Sequence, residues 1–194
     1  INGGFEVQKI WGSYSINTKA NIGPNNGKKY SVNDKIYIKN LNVKNINKKK
    51  IDFSHSTDNT IRIIKSINFN YFSDNSKEKF LKENFLVTNL ADRMGIRLKG
   101  PKIENIKNNN IKSEGLVRGV IQVPGDGDPI IMLSDHGTIG GYPKIANVIS
   151  ADLDLAGQLT PGTKINFKEV SLEEAENIFK AYTEDTNKYL DEYN

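Results

Sequence analysis

Cysteine is absent from this 194-residue chain, which excludes disulfides, thiolate-bound zinc and a cysteine nucleophile together. Histidine is almost absent. His55 and His136 stand far apart, no HExxH helix can be drawn, and no GxSxG elbow occurs. No apolar run approaches the ~20 residues of a membrane-spanning helix. Phosphate loops of the GxxxxGK[ST] or GxGxxG type are missing, so this chain alone is not expected to hydrolyse ATP. A biotin-attachment signal is missing too, because neither Met94 nor Met132 precedes a lysine. The start carries no signal-peptide pattern. It begins at Ile1 and runs through "INGGFEV" straight into strand-like sequence, so the expectation is that the beginning has been lost. A cysteine-free chain suits a reducing, cytoplasmic setting.

What is present is a basic body with an acidic end. Residues Glu169 to Asn194 hold eight acidic residues against two lysines, a net −6, so a total of +4 leaves +10 for the rest. A basic body raises the question of nucleic acid. The lysines, however, sit among asparagines in "LNVKNINKKK" and "KIENIKNNNIKSEG", without aromatic interleaving or a binding motif. They read as solvated loops, and no nucleic-acid partner is expected.

Most of the chain reads as short strands between turns. Strand patterns occur at Phe5–Ile10, Lys35–Leu41, Thr60–Ser66, Phe85–Leu90, Gly95–Leu98, Val120–Val123, Ile130–Leu133 and Lys164–Val170. "SKEKFLKE" (Ser76–Glu83) is a short helix with Ser76 as its expected cap. "NKKKIDF" and "ENIKNNNIKSEG" read as surface loops. "ADLDLAGQL" is helical, and Pro161-Gly162 turns the chain into the last strand. A helix follows from Leu172, opened by a Ser171/Glu174 capping box. Its stripe of Leu172, Ala175, Ile178, Phe179 and Tyr182 predicts docking on a β-barrel.

Three segments carry chemistry. In "DRMGIRLKG", an extended backbone would put Arg93, Gly95 and Arg97 on one face, ready for a carboxylate or phosphate. In "GVIQVPGDGDPIIML", Gln122 sits among apolar neighbours and offers an amide donor and acceptor, while "PGDGDP" breaks the calcium-loop pattern and reads as a turn. In "SDHGTIGGYPKI", Gly137, Gly140 and Gly141 permit unusual backbone, and Lys144 is the best candidate to meet a negative charge. Adjacent Asp135 and His136 would face opposite sides of an extended chain, which argues against joint acid–base work; His55 reads as solvated. No metal site is expected. The residues alone stop at a β-rich domain with a glycine-lined, basic-edged pocket.

Those same residues carry a resemblance. "EGLVRGVIQVPGDGDPIIMLSDHGTIGGYPKIANVISADL" and "FLVTNLADRMGIRLKGP" resemble the KipA family, also called the 5-oxoprolinase C subunit, allophanate hydrolase subunit 2-like or biotin-dependent carboxylase-related domain. The family's patterns are SDRMGYRLEGP, GAIQVPxDGQPI and DRQTTGGYPKIAxVISADL, and "INGGFEVQKIWGSYSINTKANIG" resembles a further segment. The resemblance spans nearly the whole chain and is most specific over Phe85–Ala175. Two local departures occur: the family's Arg-Gln-Thr-Thr becomes His136-Gly137-Thr138-Ile139, and its usual tyrosine after RMG is Ile96. The family's N-terminal signature DLGRPGYQxxGVPxGGAMD has no counterpart, so residues 1–194 are expected to form a single KipA-type domain lacking that region.

The resemblance implies a mainly β fold, a cyclophilin-like barrel with flanking helices and a C-terminal helix. It implies one component of an ATP-dependent 5-oxoprolinase, inactive alone, acting with KipI-like and LamB/YcsF-like partner subunits, and with ATP used through the complex. Two alternatives stand beside it: a urea-type carboxyltransferase using biotin on another domain, and a KipA-type regulator of a KipI-like kinase inhibitor. The site implied is Lys144, Gln122 and Tyr142 as catalytic residues, with Arg93, Arg97, Gly140, Gly141 and Asp135 binding a small amide substrate. Gln122, the arginines, Lys144 and the glycine backbone suit an amide beside a negative group.

Overall fold

The computed structural model describes residues 4–39, 58–107 and 110–191. The loop expected at 47–53, His55 and the end of the strand expected at Lys35–Leu41 lie outside the described residues. The chain divides into two compact units, Ile1–Lys50 and Ile51–Asn194.

In the first unit the two expected strands reduce to isolated bridges, Phe5 with Ile38 and Ile10 with Ser13. The physical reason is in the backbone. Gly4, Trp11 and Gly12 adopt positive φ, which breaks a pleated run at each end. Asn17 closes a small turn against Ile22, and a single helical turn follows at Asn25–Gly27. Lys9 and Lys39 lie 4.9 and 5.9 Å from the ring centre of Tyr14.

The second unit runs β1 (Thr60–Lys65), α1 (Asp74–Lys82), β2 (Phe85–Val87), β3 (Gly95–Lys99), β4 (Glu114–Gly115), β5 (Val120–Gln122), β6 (Ile130–Met132), β7 (Ile139–Gly140), β8 (Lys144–Val148), α2 (Leu153–Gly157), β9 (Lys164–Glu169) and α3 (Leu172–Asp191). Strands close a barrel in the order β1-β8-β5-β6-β3-β2-β9, while β4 and β7 pair as a separate ribbon. All barrel neighbours are antiparallel except β1 and β9, whose parallel pairing of Thr60 with Asn166 through Ile63 with Glu169 closes the ring. The fold is mainly β with flanking helices, as the sequence leads one to expect.

Alternation builds the core. Ile61 and Ile63 of β1, Ile96 and Leu98 of β3, and Ile165 and Phe167 of β9 point inward and are buried. Phe80 of α1 plugs the barrel: its ring centre is 4.5 Å from Phe167 and 6.0 Å from Phe85. Burying each such side chain contributes roughly 1.5–3 kcal/mol. α1 starts earlier than its sequence suggests, because Ser73 caps it by accepting the Ser76 N–H at 3.1 Å. Ser76 instead accepts from the Glu104 N–H at 2.7 Å and ties helix to loop.

α3 packs as its stripe predicts. Ser171 Oγ accepts the Glu174 N–H at 3.0 Å, and Ala175, Ile178 and Tyr182 pack on Ile149, Ala151, Val170 and Ile64. The stripe is narrower than its pattern, since Leu172 and Phe179 stay exposed. No helix among the described residues is long and apolar enough to cross a membrane.

Strand β8 is the element that the sequence pattern does not announce. Its residues follow a Gly-Gly-Tyr-Pro run that reads as loop, and its burial is almost continuous rather than alternating. A register shift explains that continuity. Ile121 faces Ala146, but the next residue, Gln122, faces Lys144, leaving Ile145 as the extra residue of a β-bulge. Ile145 and Ala146 therefore both enter the core, and Lys144 is delivered to the outer face.

Candidate functional site

The bulge assembles a row. Across four neighbouring strands Arg97 pairs with Ile130, Ile130 with Gln122, and Gln122 with Lys144, so all four occupy the outer face side by side. Asn68, buried, accepts the Lys144 N–H at 3.1 Å and holds the bulge in place.

The β4–β7 ribbon lies over this row. Ile111 N–H donates to Gly141 O at 2.8 Å and Leu116 N–H to Thr138 O at 2.9 Å, which extends the ribbon at both ends. Contact with the barrel is close at Gly140, where a Cβ would lie 2.8 Å from Gln122 Nε2 and 2.9 Å from Leu116 Cδ1. The glycine there provides space. Gly137, Gly140 and Gly141 all have ordinary φ, so the expectation that they supply unusual backbone is corrected: the close approach of Gln122 is what requires Gly140.

Between ribbon and barrel opens a cleft of about 400 Å³. Arg97, Gln122, Gly140, Gly141 and Tyr142 line it, along with Met94, Ile130, Ile139 and His136. Gln122 is 2% exposed, and its Nε2 donates to the Tyr142 carbonyl at 3.0 Å, which fixes the amide with Oε1 unbonded to any described residue. The Arg97 guanidinium is exposed and has no partner among the described residues. Tyr142 is 41% exposed. A fixed amide, an uncommitted guanidinium and apolar walls can hold a small ligand with an amide and a negative group.

Lys144 is placed differently. It is 5% exposed, its Nζ lies 2.5 Å from Glu114 Oε2 and donates to Gly115 O at 3.3 Å, and it does not line the cleft. Both contacts are to β4, so Lys144 pins the ribbon to the barrel. Glu114 is a residue of the ribbon that sequence reasoning passed over; a glutamate in a lysine- and asparagine-rich loop carries no signal until β4 is seen against β8.

Arg93 and Asp135 leave the cleft as well. Asp92 Oδ1 accepts the Met94 and Gly95 N–H groups at 2.7 and 3.2 Å, a turn that ends the extended backbone before Arg93 and breaks the alternation expected of it. Arg93 Nε and Nη2 instead donate to the two Asp135 oxygens at 2.7 and 3.0 Å, and this bond, then the aspartate's charge, raises the guanidinium above its ordinary value. The Arg93 side chain, 74% exposed, faces a separate hollow of about 510 Å³ with Arg118 and Tyr182. That hollow is larger, but its Tyr182 hydroxyl is committed to Asp154 at 2.5 Å, as Arg93 is to Asp135. Pro124–Gly127 is a turn, with the Gly127 N–H donating to Pro124 O at 3.0 Å. Among the described residues no group of three or more His, Cys, Asp or Glu is placed to hold a metal ion.

Comparison with known proteins gives the family and the fold. The chain is 32% identical over 182 residues to the 5-oxoprolinase C subunit of Escherichia coli K12, covering 90% of this chain and 56% of that protein. It is 31% identical over 198 residues to the 5-oxoprolinase C subunit of Haemophilus influenzae, covering the whole chain and 63% of the relative. The chain thus spans little more than half the length of the curated relatives it matches. Its fold superposes on the crystal structure of the K. lactis urea amidolyase with a TM-score of 0.80 and 24% identity, over 96% of this chain and 13% of that one. The family model for the carboxyltransferase domain, subdomain A and B, matches residues 1–169, and the chain belongs to that family.

Proposed function

We propose that this chain is the cleft-bearing part of a 5-oxoprolinase C subunit, holding a small cyclic amide while partner subunits drive its opening to glutamate. The observation that carries the reading is the row of Arg97, Gln122 and Lys144 across the barrel's outer face, roofed by a glycine ribbon over a cleft of about 400 Å³. In this reading Gln122 orients the amide, Arg97 meets the carboxylate, and Gly140, Gly141 and Tyr142 shape the wall against the ring. Lys144 acts through Glu114 by holding the roof; Arg93 and Asp135 brace the turn beside it. The family match runs through both compact units, which supports taking residues 1–194 as one KipA-type domain.

ATP enters through the complex and supplies the driving force for opening the amide. The partners are a KipI-like protein and a LamB/YcsF-like protein, in the cytoplasm. The chain alone is inactive in this reading, since its sequence has no phosphate loop.

The test is reconstitution of the full-length protein with both partners, reading 5-oxoproline-dependent ATP turnover. Gln122→Ala should lower turnover by ~10²-fold, the size of losing one preorganised contact, with an unchanged circular dichroism spectrum. The likeness to urea amidolyase gives the second reading. An assembly that ignores 5-oxoproline but carboxylates urea with a biotinylated partner establishes it in place of the first, whereas full turnover in Gln122→Ala removes the cleft from the reaction.

A further inference from the structure

Adjacent residues on an extended chain face opposite ways, and by that rule His136 has no part in the site. The structure places it otherwise. The chain is not extended there, and His136 lines the cleft half-buried, in the loop between β6 and β7. Its Nδ1 lies 2.5 Å from the carbonyl oxygen of Gly137. A carbonyl only accepts, so Nδ1 carries the proton of this bond. In the neutral ring Nε2 is then left with a lone pair.

An acceptor in this position complements the donors around it. The Arg97 guanidinium can only donate. Gln122, fixed through Nε2 to Tyr142 O, offers a second N–H to the ligand's carbonyl and its Oε1 as one acceptor, to which His136 Nε2 adds a second on the ribbon side. Asp92, the carboxylate of the β3 turn, already accepts two backbone N–H groups. A cyclic amide presents an N–H and a C=O on the same edge and needs an acceptor for the first.

We propose that His136, with its proton at Nδ1, is a substrate-contacting residue whose Nε2 accepts the N–H of the bound amide. This rests on the cyclic-amide reading above. The charged and titratable groups around the ring are Arg97 of β3, Asp92 of its turn, Tyr142 beyond β7, and Asp135 on the same loop, paired with Arg93.

The experiment is long-range proton–nitrogen NMR on the uniformly nitrogen-labelled chain, which has two histidines, with His55→Gln and Gln122→Ala assigning the signals. The expected free state is the Nδ1–H tautomer, and added 5-oxoproline should shift the His136 Nε2 resonance. In the reconstituted assembly His136→Asn, which keeps an N–H for the Gly137 carbonyl, should raise KM for 5-oxoproline about tenfold, the size of one hydrogen bond. An Nε2–H tautomer overturns the proposal. So does an unmoved Nε2 signal while the Gln122 side-chain amide shifts, a result that leaves the cyclic-amide reading intact. If 5-oxoproline moves neither, both fall.

Discussion

Along β3, β5 and β6 every inward side chain has an outward neighbour one residue away, and the two faces obey different rules. Inside are Ile96, Ile121 and Ile131, interchangeable in chemistry and held by packing with Phe80, Phe85 and Phe167. Outside are Arg97, without a partner among the described residues, Gln122, held by Tyr142 O, and, through the bulge, Lys144, held by Glu114 and Gly115 O. The inside sets whether the barrel exists. The outside depends on the ribbon that covers it, so damage there should change the cleft before it changes the fold.

The largest effect should come from within. Phe167→Ala empties the centre of the aromatic cluster, where Phe167 stacks on Phe80 and meets Phe85 at 5.6 Å. A loss of about 3–5 kcal/mol is expected by urea unfolding. That is a large share of the ~5–15 kcal/mol of an ordinary domain. A loss below about 1 kcal/mol would mean that the cluster is not the barrel's centre and would erase the distinction between the faces.

Gly140→Ala sharpens the contrast from outside. A Cβ there lies 2.8 Å from Gln122 Nε2 and 2.9 Å from Leu116 Cδ1, so the ribbon must lift or the glutamine must turn. Overpacking of this kind costs about 1–3 kcal/mol. Its activity cost in the reconstituted assembly should exceed what that destabilisation accounts for, because Gln122 loses its bond to Tyr142 O. Equal and small losses in both would show that the ribbon moves freely and that Gly140 is not there to admit Gln122.

The same contrast explains how much can be read from sequence. The inner face is a repeated pattern, and Thr60–Lys65, Gly95–Lys99 and Lys164–Glu169 all announce themselves by alternation. β8 does not, because the bulge at Ile145 turns two successive residues inward and hides the period of two. The outer face is legible only in part. Arg97, Gln122, Gly140, Gly141 and Tyr142 do meet in one cleft. Arg93 fails because the Asp92 turn ends the strand before it, and Lys144 is held away by Glu114, which lies 30 residues upstream. His136 escapes a sequence reading because the rule for extended chains does not apply in a loop. For Lys144 the deciding fact is a contact across sequence, which no local pattern encodes; for Arg93 and His136 it is a short turn that overrides the extended-chain rule.

The smallest effect tests whether charge on the outer face away from the cleft matters only to stability. Asp128 joins Lys99 at the end of β3 to Lys102, at 3.0 and 2.7 Å, with its own side chain 15% exposed. Burial pushes its carboxyl up, but the bonds from Lys102 and Lys99 together outweigh that and hold it below its ordinary value. A depressed folded value means that the pair's stabilisation is fully present above the unfolded carboxylate's ~3.9 and is lost as pH falls through the folded value. Asp128→Asn should therefore be less stable than the natural chain at neutral pH by under about 1 kcal/mol, because both lysines are solvent-exposed. The gap should close on acidification below ~pH 4, once the natural carboxyl also protonates, and shrink in high salt. Cleft binding of 5-oxoproline should be unaltered at neutral pH. A gap that instead widens in acid would mean that burial, not the lysines, dominates at Asp128, and a loss of binding would show that the two ends of β3 are not independent.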